Sequence, residues 1–499
     1  MTSSVLENIS TETLDQIKKA QTTGITVGTG IMGYDLSGLI SLIPVRTPLF
    51  DRITRVSGKG ADNASWKAML NMNTSQPSPF AGREGGGKRV IHKEAQVYAP
   101  YQPLRLSGNY TLDARDYAKD FADVKALAVA GTMHAWKIAA NKSYYGAQAF
   151  PLPAIGAVTL TELTSGGQLP ASQAVFVKCA ARSGQNYYWP NWDGTSGSGI
   201  ASAEVTLTTA AAAGHAVVAS VPDVKGAFAY DWYVSGTTGT EKYLTTTTVN
   251  TVTITSIPGA NQPAPKIPGM STVAPTAVPT VDTTVGKDSA GNVSAFNGLY
   301  ATLYGDYGTN ALVTPGTGTD VSGATLQSLD GGKLTLGGQG VVEIDNLLQG
   351  IWEASDMAPS ALIMNGRQSK DIASRVFAAG AASTFLQPNA DNRIGVTAGG
   401  SAAQYVHPVT GDVLPIVVDP HAPVGRIAAI TDHVDYPNAG ITNTLESRNL
   451  RDVAQWDYAV ALQEGAGGGP AEVWDVSSIE TFVNRAPVTM GVITNIQNG

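Results

Sequence analysis

Apolar positions along the first half of the chain follow two rhythms. In "DARDYAKDFADVKALAVAGTMHAWKIAANKSYYG", Tyr117, Phe121, Val124 and Ala128 recur at spacings of four, three and four, the repeat of one helical face. The spacing predicts one helix from Asp113, a suitable capping residue, to a stop at Gly146. At 1.5 Å per residue it would be a rod about 45 Å long. Between the proline-flanked "PLPAIG" and "IPGANQPAPKIPG" the rhythm shortens to alternation. "AVTLT", "AVFVKCAAR", "AEVTLT", "HAVVASV", "AFAYDWYV", "EKYLTT" and "TVTIT" are separated by Gly, Ser and Thr turns. Seven short strands of this kind predict a β-sandwich. Trp232, alternating with Tyr230, and Cys179, alternating with Val175 and Val177, fall on inward faces.

Upstream, residues 1 to about 45 read as an arm with a short polar helix near Thr11–Lys19 and then glycine-rich segments. "VRTPLFDRITRVSGKGADNASWKAMLNMN" reads as strand, turn, strand, answered across residues 75–87 by "KRVIHKEAQVYAPYQPLRLSG". Each side of such a hairpin would extend about 65 Å over some 20 residues. An isolated two-stranded ribbon is barely stable in water, so Met69, Leu70, Val90, Val97 and Tyr98 need a surface from outside, and a second copy is the obvious supplier. Basic residues gather here, eleven against five acidic between Arg46 and Arg115. Downstream, "VVEIDNLLQGIWEAS" predicts a helix with Ile344, Leu347 or Leu348, and Ile351 on one face. "PSALIMNGRQSKDIASRVFAAG" predicts strand, then Asn365 as N-cap, then helix. "QYVHPVTGDVLPIVVDPHAPVGRIAAI" predicts a hairpin through Thr410–Gly411, and "NTLESRNLRDVAQWDYAVALQ" and "APVTMGVITNIQ" supply further strands.

Composition narrows the function. The 499 residues carry a net charge of −8 and only 14% charged side chains, against a dedicated nucleic-acid binder, which needs a basic excess. A single cysteine excludes an internal disulfide, so an immunoglobulin likeness of the sandwich is architectural only. The start, "MTSSVLENISTETLDQIKKA", lacks the basic and apolar regions of a signal peptide, and no apolar run reaches the roughly 18 residues of a membrane span. The expectation is a soluble chain made in a cytoplasm.

Two glycine-rich stretches imitate nucleotide loops. In "AGREGGGKRV" the G-x-x-x-x-G-K spacing is followed by Arg89, where a P-loop needs a hydroxyl for its metal ion. Gly28, Gly30 and Gly33 fit G-x-G-x-x-G, but Gly38 and Pro44 leave no room for the long helix that must follow. The six histidines show no H-x-x-x-H spacing, no G-x-S-x-G elbow is present, and Cys179 reads as a core residue. The sequence presents no enzyme, cofactor or metal site.

The order of parts resembles the major capsid proteins of tailed double-stranded DNA phages. A mobile arm, "TPLFDRITRVSGKG" with "NASWKAML", a long hairpin, a spine helix and a late α+β domain carry the likeness. So do "PSALIMNGRQSKDIASRVF", "LPIVVDPHAPVGRI" and "NTLESRNLRDVAQWDYAVALQ", and it covers about residues 20–153 and 300–499. The resemblance implies an α+β capsid fold with an inserted all-β, immunoglobulin-like sandwich. Its parts would be an arm (1–50), an extension loop (51–111), a spine helix with entry to the axial domain (112–154), the insertion (155–266) and the remaining axial and peripheral domains (267–499). It implies a non-enzymatic shell protein without cofactors, assembled in a host cytoplasm as hexamers and pentamers of an icosahedral virion. Separate scaffolding, portal and decoration proteins would be partners, packaged DNA would be contacted weakly and without sequence preference, and no membrane is involved. "AGREGGGKRV" would then be the tip of the extension loop, its glycines letting it adapt to slightly different neighbours. Arg83, Lys88, Arg89, Lys93, Met69, Val97 and Tyr98 are the candidate inter-subunit contacts. Some members of that family join a lysine of this loop to a neighbour's asparagine, but no matching asparagine or catalytic acid can be identified here. Three rivals stand beside this reading. The first is an encapsulin-like compartment of the same fold; the second is a secreted adhesin, disfavoured by the absent signal peptide and the single sandwich module; the third is a nucleotide-dependent enzyme, which rests on the two glycine-rich look-alikes alone.

Overall fold

A computed structural model of the chain describes residues 46–59, 62–71, 93–118, 123–189, 197–211, 213–258, 278–287, 291, 293–306, 314–315, 324–337, 340–378, 403–434, 443–458, 461–462 and 470–497. The arm expected over residues 1–45 lies outside the described residues. The chain divides into two compact units. The smaller contains residues 103–140 and 449–480, and the larger contains 48–102, 141–448 and 481–499.

Pro48 opens a short helix, α1 (Pro48–Arg52), at a position where its missing N–H costs nothing. This corrects the strand read there, which begins only at β1 (Thr54–Ser57). β2 (Asn63–Asn71) and β3 (Lys93–Pro100) pair as an antiparallel ribbon. β4 (Gln102–Thr111) does not extend it but pairs with β21 (Pro470–Asn484). The expected long hairpin is therefore divided at its second side, where Pro100 and Pro103 lack the N–H that a continuing ladder needs.

The single rod is also corrected. α2 (Leu112–Ala118) is followed by a separate α3 (Val124–Gly146). Asp123 lies outside the helix and its Oδ1 accepts from Ala126 N at 3.0 Å, so it caps a fresh start. Asp113, the cap expected from the sequence, lies inside α2. Val124, Ala128, Trp136 and Ala140 are buried at helical spacing. Gly146 does end α3: a Cβ there would come within 2.9 Å of the Tyr188 ring and the Gly184 carbonyl.

All seven alternating segments are strands. β5 (Thr159–Leu163), β6 (Ala174–Ser183), β7 (Val205–Thr208), β8 (Ala216–Ser220), β9 (Ala227–Ser235), β10 (Lys242–Thr247) and β11 (Thr251–Ile254) form two sheets, and a short α4 (Gly184–Tyr188) follows β6. The sheets run β10-β9-β6-β7 and β11-β8-β5. That allotment differs from the constant-type immunoglobulin order, so the sandwich shares the architecture without that topology. Val175, Val177, Cys179, Tyr230 and Trp232 fill its core. The other face of β6 and β9 holds a buried ion pair, Arg182 to Asp231 at 2.8 Å, with Ser198 also bonded to the carboxylate.

Beyond it come α5 (Leu299–Tyr304), the two-residue strands β12 (Gly305–Asp306) and β13 (Thr314–Pro315), and β14 (Thr325–Ser328). Next are α6 (Val342–Ser355), β15 (Ala361–Met364), α7 (Gly366–Ala378), β16 (Gln404–Val406), β17 (Val413–Val418) and β18 (Ile427–Ile430). The chain closes with β19 (Leu445–Asp457), β20 (Ala461–Leu462), β21 and β22 (Gly491–Thr494). A mixed sheet ordered β14-β22-β18-β15-β17-β16 forms the second core of the larger unit. Ile344, Leu347, Leu348 and Ile351 of α6 bury against Leu362, Ile427 and Ile493, the face that the sequence period picked out. Asn365 Oδ1 accepts from Arg367 N at 3.1 Å at the start of α7. In the smaller unit β21 also pairs with β19 and β20. There Tyr110 packs on Trp474, and Lys125 of α3 reaches Asp457 and Glu472. The fold is α+β.

Candidate contact surface

The β2–β3 ribbon carries those of the expected contact residues that are described: Met69, Lys93, Val97 and Tyr98. Its register pairs Ala64 with Ala99, Ser65 with Tyr98, Trp66 with Val97, Met69 with Glu94 and Asn71 with Lys93, with an irregularity between Met69 and Asn71. Among the described residues no third strand joins it. Pairing puts Ala64, Trp66, Val97 and Ala99 on one face, and Ser65 and Tyr98 on the other. The first face is the seated one: Ala64, Val97 and Ala99 are buried within the chain, while Tyr98 is half-buried. Arg448 Nη1 donates to Ser65 O at 3.3 Å, and Tyr101 N donates to Asp62 O at 3.1 Å, which closes the ribbon's base.

The expected contact residues therefore separate. Val97 is covered by its own chain and Tyr98 faces the opposite way. Met69 shares the register parity of Tyr98, and Lys93 lies beyond the irregularity. Arg83, Lys88 and Arg89 lie outside the described residues, as do both glycine-rich nucleotide look-alikes.

Burial pushes the Cys179 thiol well above its usual range, which keeps it protonated and unreactive. Among the described residues no group of three His, Cys, Asp or Glu side chains could hold a metal ion, and no helix is long and apolar enough to cross a membrane.

The polar residues that matter most inside the larger unit gave no signal in the sequence. Asp419, fully buried, accepts from Asn141 Nδ2 at 3.1 Å, Tyr145 Oη at 2.9 Å and His421 N at 2.8 Å, which ties the last turn of α3 to the loop after β17. Arg426, at the entry to β18, joins the sandwich to the mixed sheet. Its Nη1 donates to Tyr304 Oη at 2.5 Å, Nη2 donates to Ala227 O, and the guanidinium lies 4.4 Å from the Phe228 ring centre. Burial pushes the Tyr304 hydroxyl up to about 12, so it stays neutral and accepts. Asn495 to Asp223 at 2.6 Å and Asn250 to Asp330 at 2.8 Å reinforce the same junction. A lone Arg in "PVGRIAAI" looks like any surface charge until its partners from β9 and α5 are known.

No family model matches the chain, and no curated protein matches it. Solved structures to which it is similar include the cyanophage A-1(L) capsid asymmetric unit, at 10% identity over 92% of this chain and 95% of that one, with a TM-score of 0.42. The capsid of Myoviridae phage XM1 overlaps 94% of this chain and 100% of that one, at 7% identity and a TM-score of 0.36. The holo-SrpI encapsulin complex from Synechococcus elongatus overlaps 92% and 93%, at 7% identity and a TM-score of 0.34.

Proposed function

We propose that this chain is the major capsid protein of a tailed double-stranded DNA phage, a mechanical shell subunit that assembles into hexamers and pentamers of a closed head. The observation that carries the reading is the β2–β3 ribbon. It is seated at its base by Arg448 and by the buried Ala64, Val97 and Ala99, yet it recruits no third strand among the described residues. A two-stranded ribbon of this kind gains stability by lying on another surface, here proposed to be that of a neighbouring copy, with Arg83, Lys88 and Arg89 as the proposed basic partners of its acidic groups. The element order around it supports the same reading: ribbon, spine helix, inserted sandwich, then a mixed sheet flanked by α6 and α7. Scaffolding, portal and decoration proteins would be separately encoded partners, and the packaged DNA would meet an acidic chain only weakly.

Electron microscopy of the purified protein, alone and co-produced with its neighbouring head genes, tests this directly. Closed shells are expected, and deletion of residues 76–88 should leave capsomers or misassembled shells. Normal, stable heads from that deletion would remove the ribbon from its proposed role. Particles filled with a protein cargo and no nucleic acid would move the assignment to a cellular compartment.

A further inference from the structure

In the larger unit β14 and β22 run parallel, with Ser328 level with Thr494. Just past their ends Leu329 N donates to Thr494 O and Gly331 N donates to Asn495 O, both at 3.0 Å. Two pieces of the sandwich reach the same spot, residues 221–223 after β8 and Asn250 before β11. They are tied to each other by Val221 N, which donates to Asn250 O at 3.0 Å. The backbone thus fixes four short segments in place before any side chain is considered.

Oxygen collects where these segments meet. Asn250 Nδ2 donates to Val221 O at 2.7 Å and to Asp330 Oδ1 at 2.8 Å. Ser328 Oγ donates to the same Asp330 oxygen at 2.8 Å. Asn495 Nδ2 donates to Ser328 Oγ at 2.9 Å and to Asp223 Oδ1 at 2.6 Å. The chain of contacts therefore begins on Val221 and ends on Asp223, two residues on. Two carboxylates alone would make no site. The second observation is that Asn250 and Asn495, each 1% accessible, leave Oδ1 buried with no donor among the described residues, whereas buried polar atoms are normally paired. Arg426 acts on Asp223 only from a distance, because its terminal nitrogens are spent on Tyr304 and Ala227.

We propose that this junction is a calcium site, completed by a half turn of both asparagine amides. The half turn exchanges Nδ2 with Oδ1 and sets six oxygens around one point. They are Val221 O, Asp223 Oδ1, Asn250 Oδ1, Ser328 Oγ, Asp330 Oδ1 and Asn495 Oδ1. Carboxylate, amide and backbone oxygens are the ligands of a hard cation, and six of them suffice for calcium. The six positions follow one another at 2.6–2.9 Å. Oxygens so spaced stand about 2.0 Å from their centre in an octahedron and about 2.8 Å in a flat ring, limits that bracket the roughly 2.3–2.6 Å of calcium. Magnesium would demand the octahedral limit. With only two charged ligands the affinity falls at the weak end of calcium sites, about 10⁻⁴–10⁻³ M. The bound ion ties the sandwich to the ends of β14 and β22, beside the fastening that Arg426 makes from β18. All six ligands come from one chain, so the proposal is independent of the shell reading.

Calorimetric titration of the full chain with calcium chloride, after stripping with EGTA, tests this. One ion per chain is expected, with a melting temperature that rises as calcium is added, because an ion held only by the folded chain stabilises it. Two variants locate the ion. Asp330→Asn keeps the side-chain shape and removes a charge, and Asn495→Gly removes one ligand. Both positions have left-handed backbone, φ 50° and 56°, which Asn and Gly tolerate, so each variant should still melt cooperatively. Each should bind calcium at least about tenfold more weakly than the parent. No saturable binding by the parent up to about 10 mM, beyond the weak limit of such sites, would overturn the proposal and leave the amides as donors only. Parental affinity in both variants would place the ion elsewhere and overturns it as well. Magnesium bound as tightly as calcium would refute the choice of ion.

Discussion

Replacing Arg426 with Met tests whether the sandwich is fastened to the mixed sheet or only tethered to it. The change keeps apolar bulk and removes the guanidinium. Two charge-assisted hydrogen bonds disappear, to Tyr304 Oη and to Ala227 O, each worth about 1.5–3 kcal/mol. The stacking over Phe228 at 4.4 Å adds about 2 kcal/mol when desolvated. Against this, a buried guanidinium carries a desolvation penalty of several kcal/mol, which Met avoids. The Tyr304 hydroxyl and Ala227 carbonyl are left without that donor, at a cost of about 1–3 kcal/mol each. The net expectation is a loss of at least roughly 2 kcal/mol, from the same magnitudes. Denaturant unfolding of the full chain measures the loss. Amide exchange locates it, with protection expected to fall together in β9, α5 and β18. If the Met variant unfolds within about 0.5 kcal/mol of the parent, the range of an ordinary surface change, Arg426 is not the fastener.

Trp232→Ala should cost about 3–5 kcal/mol, the range for truncating a buried aromatic, because Trp232 is fully buried and its Nε1 donates to Thr247 Oγ1 at 2.8 Å; a melting temperature unchanged by this variant would place the sandwich core elsewhere. His407 Nδ1 accepts the backbone N–H groups of Val409 and Thr410, both at 3.2 Å. Burial lowers the affinity of His407 for a proton, so the unfolded chain binds more protons and stability falls as pH falls. The turn at residues 408–411 should be fully protected above about pH 6.5, the ordinary histidine value, and lose protection as pH drops through the lower folded value; exchange that is flat from pH 8 to 5 would contradict this. Calorimetry with Mg-ATP should show no binding heat, since Arg89 stands where the metal-holding hydroxyl belongs, and a micromolar Kd, about −8 kcal/mol, would reinstate a nucleotide loop.

Period carried most of what the sequence disclosed. Alternation located all seven sandwich strands and the inward pair Tyr230 and Trp232, because a half-buried strand must alternate whatever lies opposite. The helical repeat located the buried face of α6 for the same reason. Where the reading failed, a local polar contact beat the repeat. Asp123 caps a new helix in the middle of an unbroken apolar stripe, and Pro48 begins a helix inside a run of strand formers. The ribbon was legible as two strands but not in its extent, since β4 satisfies its edge on β21, a partner more than 350 residues away in sequence. Of the contact candidates, Val97 and Tyr98 were chosen by hydropathy, which does not distinguish the seated face of a ribbon from the free one. Only the register does.

The junction chemistry changes what an excision experiment means. The sandwich was delimited at residues 155 and 266 by its proline-rich flanks, yet residues 279–284 return to it. Ala201 N donates to Pro279 O at 3.1 Å, Thr283 N to Ser198 O at 3.0 Å, and Leu152 N to Thr284 Oγ1 at 3.1 Å. Removing residues 155–257 behind a short Gly-Ser bridge would strip this returning segment of its partners. It would also take Ala227 O and Phe228 from Arg426, stranding a guanidinium between Tyr300 and Tyr304, and an uncompensated buried charge costs about 3–5 kcal/mol. An excised chain that fails to assemble is then as well explained by a damaged mixed sheet as by a lost contact between copies. The two causes separate when the excision also carries Arg426→Leu, which removes the stranded charge. Assembly restored by that second change assigns the failure to the junction, whereas a folded chain that still makes no shells assigns the sandwich a contact with its neighbour.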